Sequence, residues 1–168
     1  LNFDHKQLLY ASVNVSPKLG IFRPRWGFYY KQQFFDTRKY GASKALSKPL
    51  LSCSLDNNFA LSETMNAAIS LNAATPNADG FLMMKSNYSV DLRFDKSFAN
   101  RTWIIYLSAN DIFKTTKERW TMYGQGSGTT KDCYNYTRSI SLQVTYNFNA
   151  KRSKYKGTGA GNEEKSRL

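Results

Sequence analysis

Six charged side chains stand at alternate positions in two segments, Arg23, Arg25 and Lys31 in one and Asp91, Arg93 and Asp95 in the other. Carboxylates beside guanidinium groups can bind an anion, pair with one another, or divide into an acid and a base. The last arrangement needs one carboxyl raised by an apolar setting. The spacing of Asp91 and Asp95 about Arg93 suits a cross-strand ladder of ion pairs better. We therefore read the six as candidate contacts for a ligand, or for a domain seated against them, on a hydrated scaffold whose charges pair across neighbouring strands. Catalysis has little else to use. His5 is the single histidine, and no His, Cys, Asp or Glu grouping has metal-site spacing, so no catalytic residue, metal or cofactor is expected and an enzyme is not expected. Gly124-Gln125-Gly126-Ser127-Gly128 superficially resembles a phosphate cradle. It lacks the preceding strand and following helix that would aim backbone N–H groups, and reads as a flexible loop tip.

The alternation that places these charges comes from extended chain. In residues 88–98, Tyr88, Val90, Leu92, Phe94 and Phe98 take one face, and Ser89, Asp91, Arg93, Asp95 and Ser97 take the other. Residues 22–34 repeat the pattern, with Phe22, Pro24, Trp26, Phe28, Tyr30 and Phe34 opposing Arg23, Arg25, Gly27, Tyr29, Lys31 and Gln33. Pro24 belongs near a strand end or a bulge. Period two also marks residues 9–15, 51–56, 65–73, 103–110 and 134–148, giving about seven strands. The last segment is the most regular. Its apolar stripe runs Tyr134, Tyr136, Ile140, Leu142, Val144, Tyr146 and Phe148, interrupted by Arg138, with aromatics at both ends and aliphatics between. That is the profile of a strand crossing a bilayer between two aromatic girdles.

Apolar runs are about five residues long, far short of the roughly 20 a spanning helix needs. The mean hydropathy of −0.55 does not exclude a membrane, because a barrel strand exposes half its side chains to water. The net charge of +12 raises nucleic-acid binding, but much of the excess lies in residues 149–168, a Gly-containing segment without periodicity, and no nucleic-acid partner is expected. We divide the chain into a barrel segment, 1–148, and a flexible basic periplasmic tail, 149–168. Cys53 on an apolar stripe and Cys133 at a loop boundary are expected as free thiols. Arg138 and Lys96 occupy the apolar register near strand ends, where snorkelling to headgroups is expected, with a lipopolysaccharide phosphate as one contact for Arg138.

Connection lengths alternate. Short turns fall near 17–20, 57–63 and 99–102, and long ones near 36–49, 75–86 and 114–133, which assigns the short side to the periplasm and the long side to the exterior. Trp120 and Tyr123, in the longest connection, are candidate external ligand contacts. An odd strand count beginning outside does not close a single-chain barrel, and the chain starts at Leu1 without a signal peptide, so we expect a piece whose missing strands lie upstream.

Lys96-Ser97-Phe98, then Asn110-Asp111-Ile112-Phe113 and the final strand Ser139-Ile140-Ser141-Leu142-Gln143-Val144-Thr145-Tyr146-Asn147-Phe148 resemble the end of TonB-dependent outer-membrane receptors. More narrowly they resemble the outer-membrane β-barrel family related to them. The tail ending NEEKSRL is similar to tails in that family. The resemblance implies an all-β, antiparallel, up-and-down transmembrane β-barrel of about 22 strands, plugged by a domain outside this chain, of which these are about seven C-terminal strands. It implies placement in the bacterial cell outer membrane, and as partners lipid, lipopolysaccharide, the plug, the TonB system and the barrel-assembly machinery, whose client signal the aromatic ending at Phe148 resembles. The expected function is TonB-dependent uptake of an unidentified ligand. A non-transporting outer-membrane barrel with a surface-binding or structural role is the alternative; an outer-membrane enzyme and a soluble lipid-binding barrel fit less well.

Overall fold

A computed structural model describes residues 6–43, 45–124 and 128–148. Among the described residues there are eleven strands in chain order: β1 (Gln7–Val15), β2 (Phe22–Phe34), β3 (Leu50–Ser62), β4 (Met65–Ala74), β5 (Asn77–Asp79), β6 (Leu82–Met84), β7 (Asn87–Phe98), β8 (Trp103–Asn110), β9 (Glu118–Tyr123), β10 (Gly128–Cys133) and β11 (Ser139–Tyr146). Seven form an antiparallel meander, β1-β2-β3-β4-β7-β8-β11, and the other four a second sheet, β10-β9-β6-β5. The meander is open, with β1 and β11 as its edges. Among the described residues no helix is long and apolar enough to cross a membrane, which says nothing of strands.

Pairing register carries the period-two stripes across the whole meander. One face holds the rows Val13–Phe28–Cys53–Ala73–Tyr88 and Phe22–Phe59–Ala67–Phe94–Leu107–Leu142. Near the short turns this face ends in aromatics: Phe22 stacks on Phe59 at 5.1 Å, and Trp103 meets Tyr146 at 4.5 Å. In this single-layer sheet these side chains have no second layer to bury them. Val13, Leu107 and Leu142 are 60%, 44% and 67% exposed. Water would penalise so large an apolar patch, whereas hydrocarbon is the solvent that a barrel's outward face meets.

Several boundaries differ from the sequence reading. The last strand starts at Ser139, not Tyr134: Tyr136 has φ 53°, and the Arg138 N–H donates to the Tyr134 hydroxyl at 2.8 Å, so this stretch forms a loop. Arg138 therefore precedes the strand and does not sit in its apolar stripe. The turn expected at 57–63 is the two-residue link Glu63-Thr64, because Asn57 and Asn58 stay in β3. The Trp26 Nε1–H donates to Asn57 Oδ1 at 3.0 Å, which satisfies this amide within the strand. Pro24 lies near the start of β2, as its missing N–H requires. Lys96 reaches the Thr64 hydroxyl at 3.0 Å, which draws its ammonium toward the turn. Both cysteines are free.

The long connections are not irregular. Residues 35–49 make a 3-10 turn at Thr37–Tyr40, while 75–86 and 111–138 contribute the strands of the second sheet. Among the described residues, the fully buried Leu46, Gln33, Thr37 and Asp111 gather here, while Pro24 is buried at the opposite end of β2. Gln33 at the end of β2 donates to the Leu46 carbonyl at 2.6 Å and accepts from the Gly80 N–H at 2.8 Å, tying two connections together over Leu46 and Ala78.

Candidate functional site

All six charged candidates lie on the polar face of the meander, but on four separate rows. Arg25 of β2 shares a row with Asp56, Ser70 and Asp91. Arg25 pairs with Asp56 at 3.8 Å, and the Ser70 hydroxyl donates to the same carboxylate at 2.6 Å. One row nearer the short turns, Arg23 and Arg93 lie on either side of Asn58, whose amide accepts from the Arg93 guanidinium at 3.4 Å. Lys31 stands apart at the outer end of β2, where its ammonium is 2.9 Å from Asp79 of β5.

The expected ladder around Arg93 does not form. Asp95 accepts from the Asn66 amide at 2.7 Å, and Asp91 accepts from the backbone N–H of Asp111 at 2.7 Å. Side chains two apart on one strand stand side by side, and their neighbours in the adjacent strands are what they meet. Asn66 and Asp111 are those neighbours, and Arg93 reaches Asn58 one strand further on, across Ala68. Among the described residues Arg23 and Arg93 have no carboxylate within ion-pair distance.

Toward the outer end the polar face changes character. An open trough of about 490 Å³ is lined by Ser12, Asn14, Ser54, Asn72, Ser89 and Thr116, hydroxyls and amides without charge. Gly27 makes room for it, because a Cβ there would stand 2.9 Å from Asn14 Oδ1. The substitution would push Asn14 off the face.

Trp120 and Tyr123 both lie on β9, but three residues apart, so they take opposite faces of the outer sheet and do not form one contact surface. Trp120 donates its indole N–H to Glu118 at 3.0 Å. Glu118 also holds Lys131 at 2.6 Å and accepts from the Asn135 amide; bonds from Lys131, Trp120 and Asn135 draw its carboxyl down to about 2. Of the Gly-rich tip, 125–127 lie outside the described residues, as do His5 and the tail 149–168.

Sequence reasoning missed the residue that fixes this loop. Asp111 is 2% exposed, with φ 45°, directly after β8. Its carboxylate accepts from the Thr115 N–H at 2.8 Å, the Thr116 N–H at 3.2 Å and the Thr137 hydroxyl at 2.6 Å. One side chain thus fastens both ends of the 111–138 connection. Burial pushes this carboxyl up, but the bonds from Thr137, Thr115 and Thr116 prevail and hold it below the ordinary carboxylate value. The signal lies in Asn110-Asp111-Ile112-Phe113, which the sequence carries only as a family resemblance.

Among the described residues no group of three or more His, Cys, Asp or Glu could hold a metal ion. Comparison with curated proteins and with solved structures returns no match. A family model does match, that of an outer membrane protein beta-barrel family, over residues 2–146. With one face apolar to the sheet's full width, the other hydrated, and the model spanning nearly the entire sequence, the chain belongs to the outer membrane protein beta-barrel family and is placed in the bacterial outer membrane.

Proposed function

We propose that this chain is the wall of a ligand-uptake receptor driven by the TonB system, with its polar face turned to a lumen that a separate domain fills. One observation carries the reading. The guanidinium groups of Arg23 and Arg93 share a row with no carboxylate to neutralise them among the described residues. A lumen wall with unmatched cations suits an acidic surface of a plug, or an anionic ligand passing it, whereas a purely structural wall gains from pairing them internally. The neutral trough, bounded by Asn14 and Asn72, would lie on their outward side, between them and Lys31. Nothing in this arrangement calls for bond-breaking chemistry, so the role is one of binding and passage.

The test compares solute accumulation in cells with and without the intact protein, each with and without an uncoupler. The expected result is a solute whose accumulation needs both the protein and the proton gradient, and falls in the Arg23→Ala, Arg93→Ala double variant at equal protein level. If no solute meets both conditions, transport is overturned. A non-transporting barrel that presents a binding surface is the second reading, favoured by the outer sheet, in which long connections are folded into regular structure.

A further inference from the structure

On the apolar face the small residues Cys53 and Ala73 are direct neighbours in the row that runs from Phe28 to Tyr88. Taller side chains on either side leave an open apolar groove of about 750 Å³, whose outer end is formed by Thr75, Pro76, Ser86 and Asn87. Cations border that end. The Arg119 guanidinium donates through Nη2 to the Ser86 carbonyl at 2.7 Å, while its Nε is buried without a partner. Lys85 precedes Ser86 and lies 4.0 Å from Asp132, a loose and exposed pair. Among the described residues Arg119 has no carboxylate within ion-pair distance. The three outer connections, 35–49, 75–86 and 111–138, carry twice as many Lys and Arg as Asp and Glu.

We infer that this groove seats an acyl chain of a phosphorylated, multiply acylated lipid of the outer leaflet, with the phosphate held at Arg119. The two halves demand one molecule. The groove faces hydrocarbon and takes a chain, while the Arg119 guanidinium stands at the end nearest the headgroups, where a phosphate gains charge-assisted hydrogen bonds from it. A free phosphate would satisfy the cations and leave the groove unused. An uncharged lipid would do the reverse. The inference rests on the outer-membrane placement and on the outward assignment of the long connections, and it is independent of transport.

The intact protein in detergent is mixed with bisphosphorylated lipid A, with its dephosphorylated counterpart, or with inorganic phosphate, and bound mass is read by native mass spectrometry. Retention of the phosphorylated lipid over the dephosphorylated one by about tenfold is expected, which is one good charge-assisted contact. Arg119→Gln should erase that preference, and Ala73→Phe, which fills the groove, should weaken retention of both lipids. Ala109→Phe, on the same face outside the groove, should change neither, and heat-dependent gel mobility verifies that each variant is folded. Equal retention of the two lipids, an Ala73→Phe variant indistinguishable from Ala109→Phe, or inorganic phosphate binding as tightly as the lipid would each overturn the inference.

Discussion

In the seven-stranded meander nearly every strand alternates apolar and polar side chains, while in the outer sheet Leu82, Met83 and Met84 follow one another and β10 reads Gly-Thr-Thr-Lys-Asp-Cys. The two sheets share antiparallel pairing and differ in what surrounds them. A strand between lipid and a hydrated lumen is constrained at each position, since a one-residue slip would place polar side chains in hydrocarbon. A strand in water on all sides is constrained mainly where side chains make specific bonds. The meander is thus held by register, and the outer sheet by particular residues: Asp111, Gln33 and Glu118.

The widest gap between the two sheets should appear on placing a charge in each. Leu107→Arg, within the apolar face, is expected to destabilise the folded protein by about 2–4 kcal/mol, measured by urea unfolding in lipid vesicles. Ser108→Arg, one residue on and facing the lumen, and Met122→Arg, in the outer sheet, should each stay within about 0.5 kcal/mol. Comparable losses at Leu107 and Ser108 would mean that the two faces do not meet different solvents.

The converse experiment removes a bond from the outer region. Asp111→Ala strips acceptors from the Thr115 and Thr116 N–H groups and the Thr137 hydroxyl, at a cost of about 1–3 kcal/mol for donors left buried. The loss should be local. Protease added to intact cells is expected to cut within 111–138, while the meander keeps its heat-resistant gel mobility. Loss of both together would show that the two sheets are one cooperative unit.

This contrast also explains what could be read from the residues. The β7–β8 hairpin, its turn at 99–102 and the face of each of its side chains were legible because two solvents write two stripes. The end of β3 was not, since Asn57 and Asn58 look like turn residues until Trp26 of the adjacent β2 and Arg93 of β7, reaching across Ala68, meet them. The same limit hid the partners of Asp91 and Asp95, which a spacing along one strand cannot name. Strands β5 and β6 have three residues each, too few for any period to show.

A smaller effect tests how much local strain the meander tolerates. Ala99, Asn100 and Arg101 all have positive φ, at 48°, 54° and 67°. Asn adopts this region readily, and Arg does so at a steric cost that exceeds the entropy glycine would lose. Arg101→Gly is therefore expected to stabilise the protein by about 0.5 kcal/mol, and Asn100→Gly by less. The readout is the urea midpoint, and a lower midpoint for Arg101→Gly would show that its side chain contributes more than its backbone costs.

The most local effect is on pH dependence, and it should separate the sheets without any mutation. In the outer sheet the Glu118 carboxyl lies at about 2 against an ordinary 4.5, chiefly through its bond to Lys131, whose own value is raised by the same bond. A carboxyl depressed on folding contributes stability that is complete above the unfolded value and fades as pH falls toward the folded one. The raised lysine contributes below its unfolded value and loses that contribution in strong alkali, so the β9–β10 hairpin should be firmest from mildly acidic to mildly basic pH. Hydrogen exchange, corrected for intrinsic rates, should show the amides of Thr121 and Lys131 losing protection between about pH 6 and about pH 3, while those of Ile105 and Leu107 keep theirs. In Glu118→Gln the outer-sheet difference should vanish, because the titrating group is gone while most of its hydrogen-bonding shape remains. If Thr121 and Lys131 are equally protected at both pH values in the unmodified protein, the ion pair does not hold the hairpin, and cross-strand contacts such as Thr121 with Thr130, at 3.1 Å between hydroxyls, must carry it instead.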